Sequence, residues 1–157
     1  MARKIVNAAL LLSGGEPILT VEHLHRHLRN SKGYDKTLNK LIITHLADGN
    51  CTAELKIEEE HTNPMGTMHG GLVTSLVDAV STWGLFTHKN GRHTSVTVEL
   101  NTTFIQGAKM GEVIEITSNT TRAGKTLAFL DVSVRNKTTK ALLVKASHIK
   151  YIIESKI

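Results

Sequence analysis

The sequence predicts an α+β domain in which a six-stranded antiparallel sheet wraps one long central helix, with a short helical extension at the N-terminus. Three observations point there. An Asp48-Gly49 hairpin signal joins two early strand-like runs, a helix-patterned stretch fills the middle of the chain, and four runs of strand character follow it. With 157 residues and 40% hydrophobic content, the chain can pack one core and is short for two.

Residues 1–35 read as the extension and residues 36–157 as the domain proper. Within the extension, Ile18, Val21, Leu24 and Leu28 recur at helical spacing and the pattern stops at "NSKG", which predicts a short amphipathic helix. His23 and His27 lie four apart on its surface, a spacing that can grip a metal. No carboxylate or cysteine follows in register, so we read them as solvated histidines and expect no metal. The stretch "MARKIVNAALLLSGG" has two early basic residues and no acid, leaving a mitochondrial address open beside a cytoplasmic one. A single cysteine, Cys51, excludes an internal disulfide framework.

The runs on either side of "ADGN" in "LNKLIITHLADGNCTAELKIEEE" are the first two strands. The helix comes next, with Met68, Leu72, Val73, Leu76, Val77, Val80 and Trp83 as its apolar face toward the sheet. In "TSVTVELNTTF", Val96, Val98, Leu100 and Phe104 alternate with Ser95, Thr97, Glu99, Asn101 and Thr103, which predicts a strand with one polar face. "GEVIEITSNTTR", "TLAFLDVSVRN" and "ALLVKASHIKYII" complete the sheet, separated by "AGK" and "NKTTK" turns.

Charge and composition narrow the partners. A net charge of +5 suits an anionic ligand. Aromatic content is only 4%, the basic residues are scattered and no nucleic-acid motif is present, so a small polyphosphate is favoured over nucleic acid. The longest apolar runs span five residues, far below the roughly 20 that cross a bilayer, so no membrane insertion is expected.

The chemistry concentrates in "HTNPMGTMHGGLVTSLVDAVST", residues 61–82. Opposite the apolar helix face runs a small polar seam of Gly71, Ser75, Asp78 and Thr82, with no Lys, Arg or Glu between His69 and His88. A lone carboxylate shielded from water costs free energy unless it is paired or used, and small neighbours let a ligand or another backbone approach. Before the helix, Pro64 biases Asn63 toward extended backbone, and Gly66, Gly70 and Gly71 permit close approach. The unpaired N–H groups of a helix start can hold a developing oxyanion, with Gly70 the evident donor.

The motif "HTNxxGTxHGGxxxxLxDxxST", the later "GKTLAF" and the strand order together resemble the hotdog-fold acyl-CoA thioesterases of the thioesterase superfamily member 2 (acyl-CoA thioesterase 13) type, over about residues 38 to 151. The resemblance implies a sheet that dimerises edge to edge, dimers that pair into a homotetramer, and a fatty acyl thioester of coenzyme A as substrate. Coenzyme A is then part of the substrate and no separate cofactor is expected. It also implies roles. Asn63 and the backbone N–H of Gly70 polarise the thioester carbonyl, Asp78 activates the attacking water, and Thr97 stands where the family has a water-holding serine, with Ser95 as a fallback. Coenzyme A contacts map to Phe104, Gln106, the turn Arg122, Ala123, Gly124, Lys125, Thr126 and Leu127, and Tyr151. His69, Gly71 and Glu99 complete the expected substrate-binding set, His69 mainly as a residue that shapes the loop.

Two alternatives stay open at this point: a hotdog hydratase or dehydratase using His69, and a non-enzymatic acyl-CoA binder. One geometric expectation follows from spacing once these implied roles are taken together. Gly70 and Asp78, eight residues apart on one helix, are separated by roughly 12 Å along its axis and cannot both reach one carbonyl. The site is therefore expected to be shared in a two-fold dimer, Asn63 and Gly70 from one chain and Asp78 and Thr97 from the other.

Overall fold

The structure, a computed structural model, describes residues 19–153. The expected helix position Ile18 and the N-terminal stretch read as a targeting address lie outside the described residues. Helix α1 (Val21–Asn30) starts at Thr20, whose hydroxyl accepts the His23 N–H at 3.2 Å, and buries Leu24 and Leu28 in the main core. Two of its histidines are not simply solvated. His25 Nε2 accepts the backbone N–H of Ile43 at 2.9 Å, and His27 Nε2 lies 2.8 Å from Asp35 Oδ2. The single helical turn Tyr34–Leu38 brings that carboxylate back to α1, a placement that spacing along one helix does not reveal.

Strands β1 (Ile42–Ala47) and β2 (Asn50–Lys56) form the predicted hairpin. Asp48 and Gly49 both take positive φ, 49° and 82°, the backbone twist that a two-residue loop between antiparallel strands prefers. Helix α2 (Gly70–Thr87) is the central helix, and Val73, Leu76, Val77, Val80, Trp83 and Leu85 are its buried apolar residues. Met68 is buried as expected, but it precedes the helix in a bridge to Thr62, and Leu72 is only partly buried. At Gly84 the helix lies almost in contact with the β1–β2 hairpin: an added Cβ would meet Gly49 O at 3.2 Å.

The later strands are β3 (Ser95–Phe104), β4 (Val113–Ala123), β5 (Leu127–Asn136) and β6 (Leu142–Ile152), and the sheet order is β1-β2-β4-β5-β6-β3, all antiparallel. β3 thus crosses to the far edge and, among the described residues, pairs only with β6. The expected strict alternation along β3 does not hold. Its register shifts between Thr97 and Glu99: Ser95 and Thr97 pair with Ile152 and Lys150, but Leu100 and Thr102 then pair with His148 and Ala146. A bulge lets Thr97 and Leu100 share the inner face and sends Glu99, opposite Ile149, to the outer one. Val96 and Val98 remain exposed at 49% and 60%.

Candidate active site

The loop before α2 is built around Asn63. Its Oδ1 accepts the N–H groups of Met65 (2.9 Å) and Thr67 (3.2 Å), which fixes the amide so that Nδ2 donates to Thr67 Oγ1 at 3.0 Å. An amide nitrogen carries two hydrogens, so one stays available for a ligand. Gly66 turns the loop with φ 74°, in the left-handed region that favours glycine. His69 is the N-cap of α2, and its Nδ1 accepts the Gly71 N–H at 2.9 Å. Gly70 is the first helical residue, so its N–H has no intrahelical acceptor. Asn63 and Gly70 face a cavity of about 260 Å³ closed by Phe104, Gln106, Met68 and Val144.

Asp78 belongs to a second group. The expectation that its carboxylate is shielded does not hold within one chain: the side chain is 52% exposed. Its Oδ1 meets Thr82 Oγ1 at 3.4 Å and both His148 Nε2 and Lys150 Nζ at 3.8 Å. Lys150 Nζ donates to Thr82 Oγ1 at 2.9 Å. Buried His148 spans Ser81 Oγ, 2.7 Å from Nδ1, and Thr97 Oγ1, 2.9 Å from Nε2.

The protons of this network follow from donor counting. Ser81 has one hydroxyl hydrogen; assigned to Val77 O, its 2.6 Å neighbour, it leaves the Ser81 oxygen to accept from the Nδ1–H tautomer of His148. Burial pushes His148 down to about 4, with the Lys150 charge acting in the same direction and Asp78 opposing. The ring is then neutral near pH 7, and its bare Nε2 accepts from Thr97 Oγ1–H. The Thr97 oxygen keeps its lone pairs for an incoming donor such as water. Lys150 is held below its ordinary range, mainly by burial, with Asp78 opposing.

Sequence reasoning missed His148, Lys150 and Ser81. A signal existed: on β6, Val144, Ala146, His148, Lys150 and Ile152 share the inward face, so two polar side chains stand in an apolar row. Beside this group lies the turn from Arg122 to Leu127, where Gly124 N–H donates to Leu127 O and Ile152 N–H to Thr126 O, both at 2.8 Å. Tyr151 pairs with both Leu127 and Val96.

The expected residues therefore gather in two sets. Asn63, His69, Gly70, Gly71, Phe104 and Gln106 lie toward the Phe104 end of β3. Thr97, Ser95, the turn and Tyr151 lie toward the Ser95 end, with Asp78 facing Thr97 through the His148 network. Nine strand steps separate Ser95 from Phe104, roughly 30 Å. One chain does not bring the sets together, and Glu99, on the outer face, joins neither.

A long helix wrapped by a six-stranded antiparallel sheet in this order defines a hotdog thioesterase fold. The chain belongs to the thioesterase superfamily, whose family model matches residues 65–142. It is 42% identical over 120 residues to the Mus musculus protein acyl-coenzyme A thioesterase 13, covering 76% of this chain and 85% of that one. The Homo sapiens protein of the same name is 39% identical over 125 residues, covering 80% and 89%. Among solved structures, zebrafish thioesterase superfamily member 2 superposes with a TM-score of 0.82 at 36% identity, covering 87% of this chain and all of that one.

Proposed function

We propose that this protein hydrolyses fatty acyl-CoA thioesters to the free acid and coenzyme A, in the cytoplasm or the mitochondrion. The observation that carries the reading is the 42% identity to a mouse acyl-coenzyme A thioesterase across most of both chains. The geometry supports a mechanism. Asn63 Nδ2 and Gly70 N–H, facing one cavity, receive the carbonyl oxygen and stabilise the charge that forms on it. Asp78 takes a proton from a water that also donates to Thr97 Oγ1, and the water oxygen bonds to the carbonyl carbon. When the C–S bond breaks, the electrons leave with sulfur. A thiol is acidic enough, with a pKa of about 8.5, to depart without a dedicated acid.

The two sets of residues need a second chain. Edge strand β3 exposes Val96 and Val98 with one side of its backbone unpaired by its own sheet, the kind of edge that must be covered. An antiparallel β3–β3 pairing about a two-fold axis sets the Phe104 end of one chain against the Ser95 end of its partner. Asn63 and Gly70 of one protomer then meet Asp78 and Thr97 of the other, and the Arg122–Leu127 turn and Tyr151 come to the same coenzyme A. Two such dimers make a tetramer, for which Leu127 and Phe129 on the outer sheet face, each more than a third exposed, offer apolar area.

The test is thiol release from palmitoyl-CoA by the purified protein, with Asp78→Asn alongside. We expect turnover by the wild type and at least about a hundredfold less by the variant, which still binds substrate. Binding of palmitoyl-CoA without thiol release would make the protein an acyl-CoA carrier, and water addition to an enoyl-CoA would make it a hydratase.

A further inference from the structure

We infer that Lys150 is a positioning residue for Asp78, holding the carboxylate by Oδ1 so that Oδ2 faces the substrate. The inference rests on the proposed reading of Asp78 as general base. The contacts are one-sided: Thr82 Oγ1, His148 Nε2 and Lys150 Nζ all approach Oδ1, from 3.4 to 3.8 Å, and none of these three contacts involves Oδ2. Two of these three partners are poor anchors. Thr82 offers only a neutral hydroxyl, 3.4 Å away at the long limit of a hydrogen bond. His148 is neutral near pH 7, and its Nε2 is already engaged by Thr97 Oγ1 at 2.9 Å. Lys150 remains as the charged partner of the three, acting at ion-pair distance, and its ammonium is held in place by its bond to Thr82 Oγ1 at 2.9 Å.

Burying an ammonium is expensive unless its surroundings use it. Lys150 is only 4% exposed, while the carboxylate it faces is half in the open. Among the described residues, the titratable groups that approach Asp78 Oδ1 are Lys150 and His148. β6 supplies Lys150 and His148, and β5 sets Leu130 against His148 and Ala128 against Lys150. β3 supplies the Thr97 hydroxyl, its Glu99 lying on the other face. Helix α2 carries no other titratable side chain between Gly70 and Thr87. Burial also makes Lys150 lose its proton at a lower pH than an ordinary lysine, with Asp78 opposing, so the anchor is lost on the alkaline side.

Palmitoyl-CoA hydrolysis by wild type, Lys150→Met, Thr82→Val and Asp78→Asn, measured from pH 6 to 10 after subtraction of the uncatalysed rate, tests this. For Lys150→Met we expect kcat to fall by about tenfold at pH 7, roughly 1.4 kcal/mol, with KM within about twofold. The alkaline fall of the wild type should be absent from it. Thr82→Val should lose kcat in the same direction by a smaller factor, and it carries the test if Lys150→Met does not fold. A folded Lys150→Met with wild-type kcat and the wild-type alkaline limb overturns the inference, as does an unchanged Thr82→Val where only that variant folds. Loss of activity in Asp78→Asn alone would leave the general-base reading standing while this inference falls. Retained activity in Asp78→Asn would remove both.

Discussion

Thr97 Oγ1 lies 2.9 Å from Nε2 of His148, and with the ring proton on Nδ1 toward Ser81 the threonine is the donor. The hydroxyl is thereby oriented with its lone pairs away from the ring, ready to accept from water. Thr97→Ser keeps that donor and should retain activity within a few-fold. Thr97→Val keeps the shape and loses the hydroxyl, so kcat should drop about tenfold or more with little change in melting temperature. Steady-state kinetics on the two variants checks the pair, and equal activity in both would take Thr97 out of the site.

The same histidine makes stability depend on pH. Unfolded, His148 binds its proton at the ordinary value of 6.5; in the fold it does so only near 4. The unfolded chain therefore holds more protons between those values, and acidification through that window favours unfolding. Burial of neutral His148 should cost about 3 kcal/mol of stability as pH falls from 6.5 to 4. Urea unfolding of wild type and His148→Gln at pH 7 and pH 5 should show a smaller acid loss in the variant.

Helix α2 is seated on the β1–β2 hairpin at Gly84. A Cβ there would stand 3.2 Å from Gly49 O and 3.3 Å from Asn50 C and Cys51 N. These neighbours are backbone and cannot rotate aside. Alanine gains about 1 kcal/mol of helix propensity, but pushing the helix off the hairpin should cost more, about 1–3 kcal/mol. Net of that gain, Gly84→Ala should melt lower, by up to roughly 8 °C. A raised melting temperature would mean that the hairpin yields.

Lys125, on the β4–β5 turn, bears on the coenzyme A reading. Lys125→Ala should raise KM for acyl-CoA and weaken the rise of KM with salt, since an exposed phosphate contact is screened by ions. Salt titration of KM for both proteins measures this, and identical salt slopes would separate Lys125 from the nucleotide.

What the sequence made legible was what repeats locally. The Asp48-Gly49 turn, the central helix and the four later strands lie where alternation and turn residues place them, because those signals depend on neighbours in the chain. The bulge at Thr97 and Glu99 was not legible: one unpaired residue inverts which side of β3 faces inward, and nothing in "TSVTVELNTTF" marks it. His27 and Asp35 meet through an intervening turn. His148 and Lys150 escaped because their strand was read for its apolar residues, although both stand in the inward row. Asp78 was legible as an isolated acid on a small-residue seam, but its His148 and Lys150 neighbours come from β6, far along the chain, and were not.

The account stands or falls on whether each site draws on two chains. The direct measurement is activity after co-refolding equal amounts of two inactive variants, Asn63→Ala and Asp78→Asn, with mixed dimers quantified by native mass spectrometry. In a mixed two-fold dimer one shared site collects both lesions and the other collects neither. With random pairing about half the dimers are mixed, so about a quarter of all sites should recover wild-type turnover. Activity no greater than the mean of the two parents, in a sample where mixed dimers are present, would place the whole site within one chain and contradict the account.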